Sequence, residues 1–306
     1  MYAARRKRRC VRPLVAALLV AGAVLSTAAA ASPRASATST AQAKQEADRL
    51  LARPTLRSPT TVTLSATKWQ VRLKPTRDYI IKVAPGTLFT RHVTITGGRN
   101  VVLENEILAY APRPTAPPEE LYRGLLLEDQ TGVMWVHNLQ IRGPLAEGID
   151  LSQKRSAAVV LRDIRIDPVS GSQQTNHADL LQTWAGPARL VVDGLYGTSN
   201  FQGVFLQPSD TWNGPHPKFM VLRHVHIDVS RGFYALSSFA HGAYPIVAED
   251  ISVVYNPLRP NRDQWLWPKP STGDKTWKNV VGIGAELVVD AAHGHGEPRA
   301  ASVTLR

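Results

Sequence analysis

Residues 101–108 read VVLENEIL, and the phrase returns as VHNLQIRG at 136–143, LRDIRIDP at 161–168 and VAEDISVV at 247–254. In each, a short apolar run leads to one small polar residue and then resumes, so Asn105, Asn138, Asp163, Asp193, His224 and Asp250 hold equivalent places. A second register keeps step with the first. Leu127, Leu151, Leu181, Leu206 and Leu236 are spaced by 24, 30, 25 and 30 residues, and each is followed by a polar residue. Two registers drifting together at this period mark stacked coils, each burying its inner face against its neighbours. The runs favour Val, Ile and Leu, so the coils are strands and the chain is predicted to be all-β.

Composition bounds the rest. MYAARRKRRCVRP is a basic n-region, and the Ala-rich apolar stretch after it ends in small residues, which predicts a secretory signal peptide over 1–31. No membrane span is then expected in the mature chain, and the expected location is extracellular. The one cysteine, Cys10, lies before the apolar run, so no disulfide framework is expected. The chain carries a formal charge of +12, but six basic residues fall in the n-region, leaving 30 against 24 acidic ones. A mildly basic secreted protein suits an acidic glycan as partner. No stripe of Lys and Arg interleaved with aromatics points to nucleic acid. About 270 mature residues suffice for one large domain, expected to be a monomer.

Residues 32–55 are predicted to hold a disordered Ser/Thr/Ala leader and then a short helix over AQAKQEADRLLAR, stopped by Pro54. Such a helix can cap the open end of the first coil. The β domain is assigned to 56–306, with regular coils from about residue 70. Two Pro-rich interruptions, at 111–120 and 256–279, are unfit for sheet interior and read as loops walling a groove.

On its coil period, its Asn and Asp turns and phrases such as GGRNVVLENEI, the chain resembles the right-handed parallel β-helix proteins of the pectate-lyase-like superfamily over about residues 70–290. The resemblance implies three parallel sheets per coil and a substrate groove along one outer sheet. Function has to be read from the site.

With the five leucines facing in, strand alternation turns Glu128, Ser152, Gln182, Gln207 and Ser237 outward as one row, with Gln182 stacked on Gln207. The row reads either as an amide ladder that only stabilises the strands or as a sugar-binding surface. Trp184 and Trp212, beside it, supply stacking faces for the second reading. Asp150 is the one acid in an otherwise apolar outward set. The densest polar cluster is NHADLLQTW at 176–184, where His177 and Asp179 can share a face and the carboxylate can orient the imidazole. Leu181 facing inward conflicts with strict alternation there, so a bend is expected near Asp179.

Three functions follow. A polysaccharide lyase acting by β-elimination on an acidic glycan would use His177 as base, oriented by Asp179, with Lys154 and Arg155 neutralising the uronate. Asp150, Gln182, Gln207, Trp184 and Trp212 would then bind sugar. A glycoside hydrolase would instead use Asp150 and Asp179 as its two carboxyl groups. A non-catalytic glycan-binding protein needs only the polar row and the tryptophans. No cofactor is expected. His224 and His226 lack a third zinc ligand, and calcium, though compatible with an acidic-glycan site, finds no loop of alternating acids.

Overall fold

The computed structural model describes residues 38–113, 121–172, 174, 176–207, 217–238 and 244–258, with strands at 266–267, 275–284, 286–288 and 297–299. The expected signal peptide, Trp212 and most of both Pro-rich interruptions lie outside these residues.

The described residues form one 18-stranded parallel sheet, joined by one helix and a short antiparallel pair. Numbered in chain order, one ladder runs through β2 (Gln70–Leu73), β5 (Val93–Gly97), β7 (Tyr122–Glu128), β9 (Leu145–Ser152), β11 (Asp179–Ala185), β13 (Gln202–Leu206), β15 (Tyr234–Ser238) and β17 (Leu266–Trp267). The other contains β1 (Thr60–Leu64), β3 (Tyr79–Val83), the two-residue β4 (Leu88–Phe89) beside β6 (Val101–Tyr110), then β8 (Val133–Arg142), β10 (Ala158–Val169), β12 (Arg189–Ser199), β14 (Phe219–Val229), β16 (Ile246–Tyr255) and β18 (Lys275–Gly284). A parallel sheet in which strands pair two along in sequence is compatible with a β-helix. One apolar core takes side chains from both ladders, and strand formation starts at Thr60, ten residues before the sequence predicts.

The turn residues do what their chemistry allows. Asn105, Asn138, Asp163, His224 and Asp250 all have positive φ, between 50° and 58°. Each is skipped by the ladder, which resumes on both sides: Glu104 pairs with His137 and Glu106 with Leu139. A single left-handed residue therefore bends each long strand without ending its pairing, and Asn and Asp tolerate that conformation best. Asp193 is the exception, because Gly194 (φ 84°) takes the left-handed seat in that rung.

Ahead of each bend, Val102, Trp135, Val160, Val191, Val221 and Val247 face away from the core in one register column. Helix α1 (Thr40–Leu50) covers it, which is why these strands read as continuously apolar. A capping box starts the helix, with Ser39 Oγ accepting from the Gln42 amide and Gln42 Oε1 from the Ser39 amide. Ala43 and Ala47, one turn apart, let the helix lie close. Lys44, Glu46 and Asp48 pair with Glu249, Arg189 and Arg223. The helix thus lies along the flank on β12, β14 and β16, not over the first coil as the sequence predicts. A valine column running the length of the sheet offers it more apolar surface.

Candidate functional site

The five ladder leucines are all buried, as expected, but they fall in two columns. Leu181 and Leu236 align through Val204, and with Ile149 and Leu125 on the other side. Leu127 and Leu151 align with Thr183 and Leu206. The predicted single polar row therefore does not form: Glu128 meets Ser152, while Gln182 meets Asp150 on one side and Phe205 on the other. Gln207 follows the end of β13, half-buried and out of register with Gln182. An amide ladder does exist, but inside the core between Gln130 and Gln153. There Gln153 Nε2 donates to Gln130 Oε1 at 2.5 Å and to Leu127 O at 2.9 Å, and Gln130 Nε2 donates to Ile95 O.

A repeated four-residue phrase causes the shift. RGLL (123–126), EGID (147–150), DLLQ (179–182), QGVF (202–205) and YALS (234–237) each place two consecutive residues toward the core. The first of the two is small in four phrases, since little room is left. A Cβ on Gly148 would lie 2.8 Å from Ile166 Cδ1 and 2.4 Å from Leu180 O, and one on Gly203 would lie 2.5 Å from Ile227 Cγ2. The flanking residues, three apart, then share the outer face, where alternation would oppose them. This is the bend expected near Asp179, and it recurs in every rung from β7 to β15.

Two outer columns result. One carries Arg123 opposite Glu147, then Asp179 opposite Gln202 and Tyr234. The other carries Leu126, Asp150, Gln182, Phe205 and Ser237. Three carboxyl groups are thereby gathered around one arginine. Arg123 Nε reaches Glu147 Oε2 at 2.5 Å and also contacts Asp150 Oδ2. Asp150 and Asp179 are both 0% exposed.

One guanidinium faces this cluster, and burial disfavours the charged form of its two aspartates. Burial pushes the Asp150 pKa well up, as does the neighbouring Glu147, against the pull of Arg123 and of a hydrogen bond from Trp184. Burial also raises Asp179, followed by the charges of Asp150 and Glu147. Neither Asp179 oxygen has a hydrogen-bond partner, and the side-chain oxygens of Gln182 and Gln202 are also buried without one. These unmatched acceptors lie together in one patch, which makes it the candidate site.

Of the predicted residues, the structure brings together Asp150, Asp179, Gln182 and Trp184. His177 is exposed just before β11 and stacks on Phe201, with ring centroids 4.9 Å apart. It makes no hydrogen bond to Asp179, whose side chain turns into the cluster instead. Lys154 and Arg155 sit exposed in the turn after β9. Gln153, immediately before them, points inward, and the Lys154 amide donates to Asp129 Oδ1. Arg123, Glu147 and Gln202 were not predicted, although aligning RGLL, EGID and QGVF would have found them. Among the described residues, no group of three or more acids and histidines has the spacing to hold a metal ion. No helix of the described residues is long and apolar enough to cross a membrane.

No family model, no curated protein and no solved structure matches the chain.

Proposed function

We propose that this is a secreted right-handed parallel β-helix protein of the pectate-lyase-like kind, and that it hydrolyses glycosidic bonds of an extracellular glycan at the Glu147–Asp150–Asp179 cluster. The observation that carries the reading is the pairing of carboxyl groups held neutral by burial with one ion-paired to Arg123. Glycoside hydrolysis needs that division of labour. Asp179, free of internal hydrogen bonds, gives its proton to the leaving glycosidic oxygen as the C–O bond breaks. Glu147 supports the positive charge developing at the anomeric carbon. Water adds there, and its proton restores the acid. Gln182 and Gln202 offer acceptors to sugar hydroxyls, and the half-buried Trp184 offers a stacking face. The basic n-region and the apolar stretch behind it support secretion, and the mild basic surplus favours an acidic glycan.

β-Elimination is the second reading, favoured by Arg123, a cation within the cluster able to meet a uronate carboxylate. One experiment separates the readings. The mature protein is incubated with acidic and neutral glycans while reducing ends and the unsaturated-uronate absorbance are followed. Reducing ends without absorbance support hydrolysis, and absorbance supports elimination. Binding without either would leave a glycan-binding module and end both enzymatic readings.

A further inference from the structure

After their left-handed bend, the long strands present a different face. Gln140, Arg165, Tyr196, His226 and Ser252 stand in one outward register column across β8 to β16. The first four border a groove of about 390 Å³ that Arg142 and Asp167 also line. No residue of the carboxyl cluster lines it.

Tyr196 is 42% exposed, and with Leu88 and Ile107 it is among the few large apolar side chains that the described strands leave open. The Arg165 guanidinium lies 5.3 Å from its ring centre, and the His226 ring lies 6.4 Å away on the next rung. Arg142 and Arg165 are exposed and form no ion pair among the described residues. Of the nearby acids, Asp167 in the groove lining accepts from the Gly143 amide at 2.9 Å through Oδ2, and Asp228 Oδ1 accepts from the Ser230 amide; neither is ion-paired to the two arginines. His226 Nδ1 is tied to Ser252 Oγ at 2.7 Å, which fixes its ring beside the tyrosine. The groove is thus cationic, with an aromatic floor whose neighbours hold it in place.

We propose that this groove is a second glycan-binding site, separate from the carboxyl cluster, and that it takes a stretch of anionic polysaccharide. The charge selects the occupant: Arg165 and Arg142, the latter held by Gln140 Oε1, bring two guanidiniums against the one carboxylate of Asp167 and match carboxylates along the polymer, and the tyrosine face stacks on a sugar ring. Rungs are about 4.8 Å apart, so Arg165, Tyr196 and His226 span about 10 Å, room for a short run of sugar rings. The site rests on its own geometry and stands whether or not the cluster is catalytic.

The test is biolayer interferometry of the mature protein on immobilised polygalacturonate, with neutral galactan alongside. The protein is expected to bind the anionic polymer and not the neutral one. Arg165→Ala/Tyr196→Ala should weaken binding roughly five- to tenfold. Lys154→Ala/Arg155→Ala, which removes two exposed charges outside the groove, should bind nearly like the parent. The proposal is overturned if the Arg165/Tyr196 variant binds undiminished, if galactan binds as well, or if the Lys154/Arg155 pair loses as much affinity. Circular dichroism of each variant excludes misfolding as the cause of a loss.

Discussion

Asp78 and Asp179 are equally hidden, 1% and 0% exposed, yet their surroundings are opposite. Asp78, at the corner before β3, accepts from the Arg57 amide at 2.6 Å, from the Asn100 amide at 3.2 Å and from both Nε and Nη2 of Arg99. The Arg99 pair, with the two amides, outweighs burial and lowers its pKa to about 2. Asp179 has no such partner, and burial raises its pKa well above the usual carboxylate value. The same side chain is a structural clamp in one place and a stored proton in the other. The difference lies in whether the fold supplies donors.

The largest effect that can break this contrast is on turnover. Asp179→Asn should lower glycan cleavage by a factor of about 10² to 10⁴, the worth of a general acid, while the protein stays folded. Asp78→Ala should do the reverse. It strands two amides and a guanidinium and should cost about 3–5 kcal/mol in chemical denaturation, with the site chemistry intact wherever the protein is folded.

Acid and base should also act oppositely on the two regions. Because the Asp78 pKa is depressed, its contribution, on the order of 2 kcal/mol, is present above about pH 4 and lost as pH falls toward 2. Asp78→Asn should therefore fall furthest behind the parent above pH 4. The raised groups behave the other way. Stability linked to Asp150 and Asp179 is full below their ordinary carboxylate range and is lost as pH rises through their elevated values. Asp150→Asn/Asp179→Asn should thus gain in Tm relative to the parent as pH rises from 4 to 8. A constant offset would contradict the protonated pair.

Smaller effects sharpen the picture. Gly148→Ala forces a methyl against Leu180 O and should cost about 1–3 kcal/mol, because the double inward turn leaves it no space. His177→Ala should change stability by less than about 0.5 kcal/mol, since the ring is exposed on Phe201. Under hydrolysis it should leave turnover nearly unchanged, whereas elimination with His177 as base would lose it.

The parallel strands and their corners were legible because both are local. Val, Ile and Leu runs and the Asn or Asp at each bend announce themselves within ten residues. Even Asp193, one place off the left-handed seat, was misassigned only because Gly194 fills the role with no side chain to signal it. The site was half legible. Asp150, Asp179, Gln182 and Trp184 were found from the phrases around them. Their true neighbours were missed because strict alternation was carried through EGID and DLLQ, where two core-facing residues reset it. That reset is a packing event between rungs, visible in sequence only when the phrases are aligned. Helix α1 was found by composition, but its place was not, because the valine column that receives it is assembled from six separate strands.

The proton on Asp179 can be observed directly. Infrared difference spectra of the parent against Asp179→Asn, taken at neutral pH in heavy water, should show a protonated carboxylic-acid carbonyl band that the variant lacks. If the band is absent, and a carboxylate band is lost on substitution instead, Asp179 is ionised and cannot be the stored acid of this site.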